Sequence, residues 1–222
     1  MAVIPARGGS TRLKDKNIYP LAGKPLISHT IEVVLESQCF DTVVVSTDSE
    51  RIADTARAYP GVQIYMREAK YATEKATVLT ALMAMMTEVE KHDVFAYFLP
   101  TCPLKTAADI RGGMELFDES DVDSVISVVE YDVPIQLAML KKGDTMVPVF
   151  DNLTSGLTNS KFIQKYYRPS GAYYSARWDY LLENGNFFVG NVKGYEMSKE
   201  NSIDIDDLTD MKIAEFFLEK RT

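Results

Sequence analysis

The sequence is poor in the residues that most often advertise a function. Its 222 residues contain two cysteines, Cys39 and Cys102, and two histidines, His29 and His92. Two cysteines build neither a disulfide framework nor a zinc cluster, so each reads as a small buried or half-buried thiol. His29 falls in a helical stretch and His92 beside a charged turn, and neither has a triad partner near it. An excess of positive charge is also missing. Lys and Arg number 24 against 32 Asp and Glu, a net charge of −8, which excludes a general nucleic-acid binder. No apolar run approaches the roughly 18–20 residues of a membrane span. The opening MAVIPARGG reads as a strand entering a loop, not as a secretory leader. Pro/Gly-rich linkers, low-complexity tracts and internal repeats are absent. The expectation is a soluble protein of a reducing, cytoplasmic compartment, with no nucleic-acid or membrane partner.

What is present is ordinary globular composition, 46% hydrophobic and 25% charged. Short apolar runs at Ala2–Pro5, Thr42–Ser46, Val62–Met66, Val94–Leu99 and Ser124–Val129 alternate with helical periodicity at Leu26–Ser37, Ser49–Ala58, Thr77–Lys91 and Ala107–Phe117. That alternation predicts a doubly wound, mostly parallel α/β sheet covered on both faces. The pattern breaks near residue 130. Glu130–Phe150 has no helical period and contains a turn signal at Lys142-Gly143-Asp144, so it reads as a hairpin or arm. Gly156–Lys165 reads as a polar loop. A strand at Gly171–Ser175, a helix near Trp178–Glu183, a strand near Val192–Glu196 and a helix from about Asp207 to Glu219 resume the pattern. The expectation is one domain, 1–222, with a β-rich excursion at about 130–165.

Two stretches carry opposite charge. Ala6–Lys24 follows the first strand and holds five bases (Arg7, Arg12, Lys14, Lys16, Lys24) against one acid, Asp15. Ligands of open α/β sheets sit beyond the carboxyl ends of the strands. Gly8 and Gly9 allow the backbone to approach an anion and aim amide N–H groups at it. The spacing is neither that of a Walker loop nor GxGxxG, and the alternative is a solvated basic turn. The second stretch, Glu196–Asp210, holds six acids and one base. Within it Ser202-Ile203-Asp204-Ile205-Asp206 alternates, so an extended backbone places Asp204 and Asp206 on one face, about 6–7 Å apart at Cα. Two carboxylates so placed suit magnesium, whose shell is completed by water and phosphate. The alternative for Asp206 is capping of the last helix. Asp48 is equally suited to meet a ligand or to cap the helix after it. An anion loop and a carboxylate pair in one α/β domain suggest a nucleoside triphosphate with a metal ion.

The segments IPARGGSTRLKDKN, STDSERIA, Arg67 with the downstream ATEKA, LPTCPLK, YRPSGAYY, Phe187-Phe188 and SIDIDDLTD stand in one order along nearly the whole chain. Together they resemble the N-acylneuraminate (sialic acid) cytidylyltransferases. Relatives making CMP-legionaminate or CMP-pseudaminate share most of them. CMP-Kdo synthetases share the loop but usually lack the YRPSGA and Phe-Phe segments.

The resemblance implies that CMP passes from CTP to the anomeric hydroxyl of a 2-keto sugar acid, a sialic acid or related nonulosonate, and that pyrophosphate leaves. It implies a nucleotide site of Ala6, Arg7, Ser10, Lys16, Asn17, Arg67, Ala76 and Thr77. Arg7, Lys16 and Asp206 would be catalytic, with Mg2+ on Asp204 and Asp206. The sugar side would hold Leu99, Arg168, Tyr174, Phe187 and Phe188. A homodimer is implied, its arm reaching the partner's sugar site. Phosphoryl transfer needs charge neutralisation and positioning more than a covalent nucleophile, which agrees with this division. Two positions depart from the pattern: Leu99 stands where the family usually has Gln, and Asn159-Ser160-Lys161 where it usually has an Arg. Both lie on the sugar side and bear on the sugar's identity. The alternatives are CMP-Kdo synthesis and a catalytically idle nucleotide-binding or assembly protein, and retention of Arg7, Lys16, Asp204 and Asp206 argues against idleness.

Overall fold

The computed structural model describes residues 1–10, 12–71, 77–119 and 121–221. The chain opens with β1 (Ala2–Pro5), a small hairpin β2 (Pro20–Leu21) and β3 (Lys24–Pro25), then α1 (Leu26–Ser37) and β4 (Val43–Thr47). Next come α2 (Glu50–Arg57), β5 (Val62–Met66), α3 (Val78–Met86), β6 (Val94–Phe98), α4 (Ala107–Glu115) and β7 (Ser124–Glu130). The excursion holds β8 (Met139–Lys142), β9 (Thr145–Pro148) and a single turn of helix, α5 (Asn152–Ser155). The rest is β10 (Tyr167–Arg177), α6 (Trp178–Asn184), β11 (Val192–Glu196) and α7 (Leu208–Arg221).

Seven strands form one sheet in the order β11-β7-β10-β6-β1-β4-β5. All neighbours run parallel except β10, which is antiparallel to both β6 and β7. The mixed, mostly parallel α/β sheet expected from the alternation is therefore present. Successive side chains of a strand point to opposite faces, and β1 shows the consequence. Ala2 and Ile4 join a cluster with Ile27, Ile31 and Val34 of α1, Ile52 of α2 and Ile110 of α4. Val3 joins the other cluster, with Leu82 and Met85 of α3 and Trp178 of α6. A third, smaller cluster packs Leu21, Leu26 and Leu104 against Ile205 and Met211. It holds α7 and the acidic segment before it onto the mouth of the sheet. Burial of Ile205 stabilises that placement by about 1.5–3 kcal/mol.

Several boundaries differ from the sequence reading. The helix read over Thr77–Lys91 spans Val78–Met86. Thr77 caps it by accepting the Thr80 N–H, and Thr87 ends it, its hydroxyl donating back to Ala84 O. The strand read as Gly171–Ser175 extends over Tyr167–Arg177, pairing with β7 on both sides of a register slip between Pro169 and Tyr174. Pro169 has no N–H for the ladder, and Gly171 at φ +82° absorbs the kink. In the excursion β8 and β9 pair only with each other, around a turn at Gly143. The hairpin leaves Met139, Leu140, Met146 and Val147 exposed. The stretch read as the loop Gly156–Lys165 contains one 3-10 turn at Ser160–Phe162. Among the described residues no helix is long and apolar enough to cross a membrane.

Candidate active site

The loop after β1 crosses the carboxyl ends of β1 and β4 and opens into a cavity of about 420 Å³. Arg7, Ser10, Arg12, Lys16 and Asn17 of the loop after β1 line it together with Arg67, Tyr71, Thr77 and Val78. Leu99, Pro100, Thr101 and Asp206 close the remaining wall. Among the described residues four cations thus face one carboxylate, in a protein of net charge −8. Such a cavity attracts a multiply charged anion and holds it in a fixed place.

Local bonds set each of these groups. The Ala6 N–H donates to Ser46 O at 2.9 Å, and the buried Asn17 amide donates to Arg7 O at 2.9 Å. Asn17 therefore shapes the loop as well as lining the cavity. The two glycines divide their roles. Gly8 donates its N–H to Asp48 Oδ1 at 2.8 Å, and a Cβ on it would meet Ser49 Cβ at 3.0 Å. Gly9 is exposed with nothing within 4 Å of such a Cβ. The Gly8 amide is thus taken by Asp48 and is not aimed at the anion, and Asp48 is a tie between loop and β4. It does not cap α2, whose N-cap is Ser49. Lys24 leaves the basic group altogether and pairs with Glu32.

Arg67 is planted under the cavity by two bonds to Ser46, Nε to Oγ at 2.9 Å and Nη2 to the carbonyl at 2.6 Å. Burial lowers its pKa to about 10, with the nearby Asp48 carboxylate acting in the opposite sense and Arg7 adding to the lowering. It stays charged at neutral pH. Ala76, expected beside Arg67 and Thr77, lies outside the described residues.

The acidic segment alternates as expected. Ile205 is buried while Asp204 and Asp206 face outward. Asp206 pairs with Arg12 and lies 3.6 Å from Lys16 Nζ. Capping of α7 falls to other residues: Asp207 Oδ1 accepts the N–H groups of Thr209 and Asp210, and Asp210 Oδ2 accepts those of Asp206 and Asp207. The Asp206 side chain is free of that duty. Asp204 sits with its Oδ1 3.8 Å from Cys102 Sγ and does not line the cavity. Two outward carboxylates on one extended segment are hard oxygen donors of the kind magnesium takes, and of the two Asp206 is the one that lines the cavity.

The residues expected on the sugar side, Arg168 apart, gather in a second group. Tyr174 stacks on Tyr97 with ring centres 4.9 Å apart, and Phe187 and Phe188 lie 6.0 and 6.1 Å from it. Phe187 is buried and Phe188 exposed. Leu99 packs against this cluster and also lines the cavity, so it joins the two regions. Arg168 stands outside the cavity lining and donates to Pro169 O at 3.3 Å. Tyr97 escaped the sequence reading. Its pairing with Tyr174 follows from the antiparallel register of β6 and β10, which no local pattern discloses.

The remaining candidates are structural. Cys102 is buried and its thiol is pushed up to about 12, chiefly by burial and then by Asp204, so it is no nucleophile at neutral pH. His29 is buried with Nε2 2.9 Å from Leu21 O, and burial lowers its pKa. His92 packs beside the Trp178 ring.

Similarity to known proteins agrees with this geometry. The chain is 32% identical to an N-acylneuraminate cytidylyltransferase of Escherichia coli O18:K1:H7 (strain RS218 / NMEC), over 96% of this chain and 51% of that protein. It is 33% identical to the CMP-N,N'-diacetyllegionaminic acid synthase of Legionella pneumophila subsp. pneumophila (strain Philadelphia 1), over 99% of this chain and 96% of that one. The chain thus spans about half the length of the N-acylneuraminate relatives it matches. Among solved structures, a CMP:2-keto-3-deoxy-manno-octonic acid synthetase complexed with CTP superposes with a TM-score of 0.74 at 18% identity, covering 100% of this chain and 98% of that one. At that identity the match speaks for the fold. The profile of the cytidylyltransferase family matches residues 1–217, and the chain belongs to that family.

Proposed function

We propose that this protein transfers CMP from CTP to the anomeric hydroxyl of a 2-keto sugar acid, a sialic acid or related nonulosonate, with release of pyrophosphate. The observation that carries the reading is the convergence of Arg7, Arg12, Lys16 and Arg67 on one cavity where, among the described residues, Asp206 is the one carboxylate. Arg67, Tyr71 and Thr77 would receive the base end. Arg7, Ser10, Arg12 and Lys16 would hold the triphosphate. Arg12 and Lys16 exchange Asp206 for phosphate oxygens when the nucleotide arrives, and Asp206 is released. Asp204 and Asp206 would hold Mg2+, which neutralises charge on the phosphates and orients them. The sugar's anomeric hydroxyl attacks the α-phosphorus in line and gives up its proton to solvent, the bond from that phosphorus to the oxygen bridging to the β-phosphate breaks, and pyrophosphate carries away the electron pair. Cationic side chains fixed before the reaction stabilise the charge that develops.

Leu99, Tyr174 and the exposed Phe188, backed by the buried Tyr97 and Phe187, would form an apolar wall for the sugar. The exposed apolar hairpin at 139–148 supports a homodimer that covers it, and the working compartment is the cytoplasm. Magnesium, the dimer and the sugar's identity are parts of the same reading. CMP-Kdo synthesis shares the fold but is the weaker alternative.

Pyrophosphate release is measured with CTP, UTP or ATP and a panel of keto sugar acids. Release that requires CTP and one of the nonulosonates is expected. Release with Kdo alone would move the reading to the alternative, and no release with any pair would leave an idle nucleotide-binding protein.

A further inference from the structure

Lys105 precedes α4 and is buried to 1% exposure, a rare position for lysine. Its ammonium donates to Thr30 Oγ1 of α1 at 2.9 Å, to Leu99 O at 2.9 Å and to Cys102 O at 2.6 Å. Three donors meet three acceptors, so every ammonium proton is used. The acceptors are a hydroxyl and two carbonyls, not carboxylates. Burying a cation on neutral partners is costly, and an apolar side chain would fill the same space at less expense of desolvation. Stability alone therefore does not account for a lysine there.

The two carbonyls lie at the ends of the 99–102 turn, whose Leu99, Pro100 and Thr101 form a wall of the cavity. The same turn holds the acidic segment. Thr101 O accepts the Ile205 N–H at 2.8 Å, and Ile205 O accepts Lys16 Nζ at 2.7 Å. Ile205 stands between Asp204 and Asp206, and Asp204 Oδ1 reaches back to within 3.8 Å of Cys102 Sγ. One continuous set of contacts thus runs from Lys105 through the turn to the carboxylate pair and to Lys16. Burial lowers the Lys105 pKa to about 8, while Cys102, Asp204 and Asp109 act in the opposite sense. The group keeps its proton at neutral pH.

We propose that Lys105 is a positioning residue for metal binding: its ammonium clamps the 99–102 turn and, through Thr101 and Ile205, fixes the reach of Asp204 and Asp206. The proposal rests on the reading of those two carboxylates as the metal ligands.

The test uses Mn2+ as the probe and needs no turnover. Bound Mn2+ is titrated by electron paramagnetic resonance on the whole chain with CTP present, against a protein-free blank that gives the Mn2+–CTP complex to be subtracted, for wild type, Lys105→Met and Thr30→Val. CTP binding without metal is followed by equilibrium dialysis, and melting curves establish the folded fraction. Supports of metal ligands typically affect affinity by about 10- to 100-fold. Lys105→Met is expected to weaken Mn2+ binding by at least about tenfold, and by more than it weakens metal-free CTP binding. Thr30→Val keeps the volume and removes one anchor, so a loss of about threefold or more is expected. A merely structural lysine would change the melting temperature and leave Mn2+ affinity of the folded protein unaltered, which overturns the proposal. If Lys105→Met does not fold, Thr30→Val decides alone. Wild-type protein that binds no Mn2+ with CTP present removes the metal reading and the inference with it. Wild-type binding matched by the folded variants removes the inference alone.

Discussion

Asp206 and Asp207 are neighbours in sequence with different work, and changing each separately distinguishes metal binding from helix capping. In Asp206→Asn the partners lost are Arg12 and Lys16, on a side chain 52% exposed. Exposed pairs contribute at most about 1 kcal/mol. The melting temperature should therefore fall by no more than roughly 4 °C for a chain of this size. Activity should respond far more. Loss of a charged metal ligand removes about 3–4 kcal/mol of transition-state stabilisation, or roughly 10²- to 10³-fold in kcat. Asp207→Ala should do the reverse, because Asp207 caps α7 through the Thr209 and Asp210 N–H groups and touches neither cation. A drop of a few degrees with turnover kept within about threefold is expected there. The assay is pyrophosphate release at saturating CTP and sugar, paired with thermal melts of both variants. Near-normal turnover of Asp206→Asn would refute the reasoning, as would undiminished wild-type turnover in excess EDTA.

Four further outcomes follow from the same geometry. Lys16→Ala should lower kcat by about 30- to 1000-fold, and a rise in KM alone at unchanged kcat would make its contact one of uniform binding. Light scattering should give about twice the 24.9 kDa chain mass, since the hairpin exposes Met139, Leu140, Met146 and Val147; a concentration-independent monomer contradicts the dimer. Leu99 neither donates nor accepts a hydrogen bond, so N-acetylneuraminate should not lead the kcat/KM ranking among legionaminate-, pseudaminate-, Kdn- and Kdo-type acids, and Leu99→Gln should reorder it. An unchanged ranking sinks that idea. Burial lowers the Lys105 pKa to about 8 from 10.5, so the native state gives up this proton first and the unfolded chain binds more protons between those values. Folding stability should therefore rise with pH across that window, by up to about 3 kcal/mol relative to Lys105→Met; parallel stability curves for the two proteins would contradict it.

The parts legible in the sequence are those written in local pattern. TVVVS could only be a buried strand, and the alternation of Ile203 and Ile205 with Asp204 and Asp206 survives intact because Ile205 is pinned among Leu21, Leu26 and Leu104. Arg7, Lys16 and Asp206 were nameable from charge, Ser10, Arg67 and Thr77 through the family resemblance alone, and the fold brings all six to one cavity. What was not legible depends on register and distance. Tyr97 meets Tyr174 only because β10 runs antiparallel against β6. No local pattern marks Lys105 as buried; α1 and the 99–102 turn enclose it. Asp48 suits a cap or a ligand equally well in sequence, and the passage of the glycine loop over β4 decides for neither.

The central claim is CMP transfer to a keto sugar acid, and phosphorus NMR of the complete mixture tests it most directly. With protein, Mg2+, CTP and the preferred nonulosonate, the account predicts that a phosphodiester resonance of the CMP-sugar and one of pyrophosphate grow together in equal amounts as CTP disappears. Both should vanish in Asp206→Asn. Disappearance of CTP into CMP and pyrophosphate without a sugar phosphodiester, or no disappearance with any keto sugar acid, would contradict it.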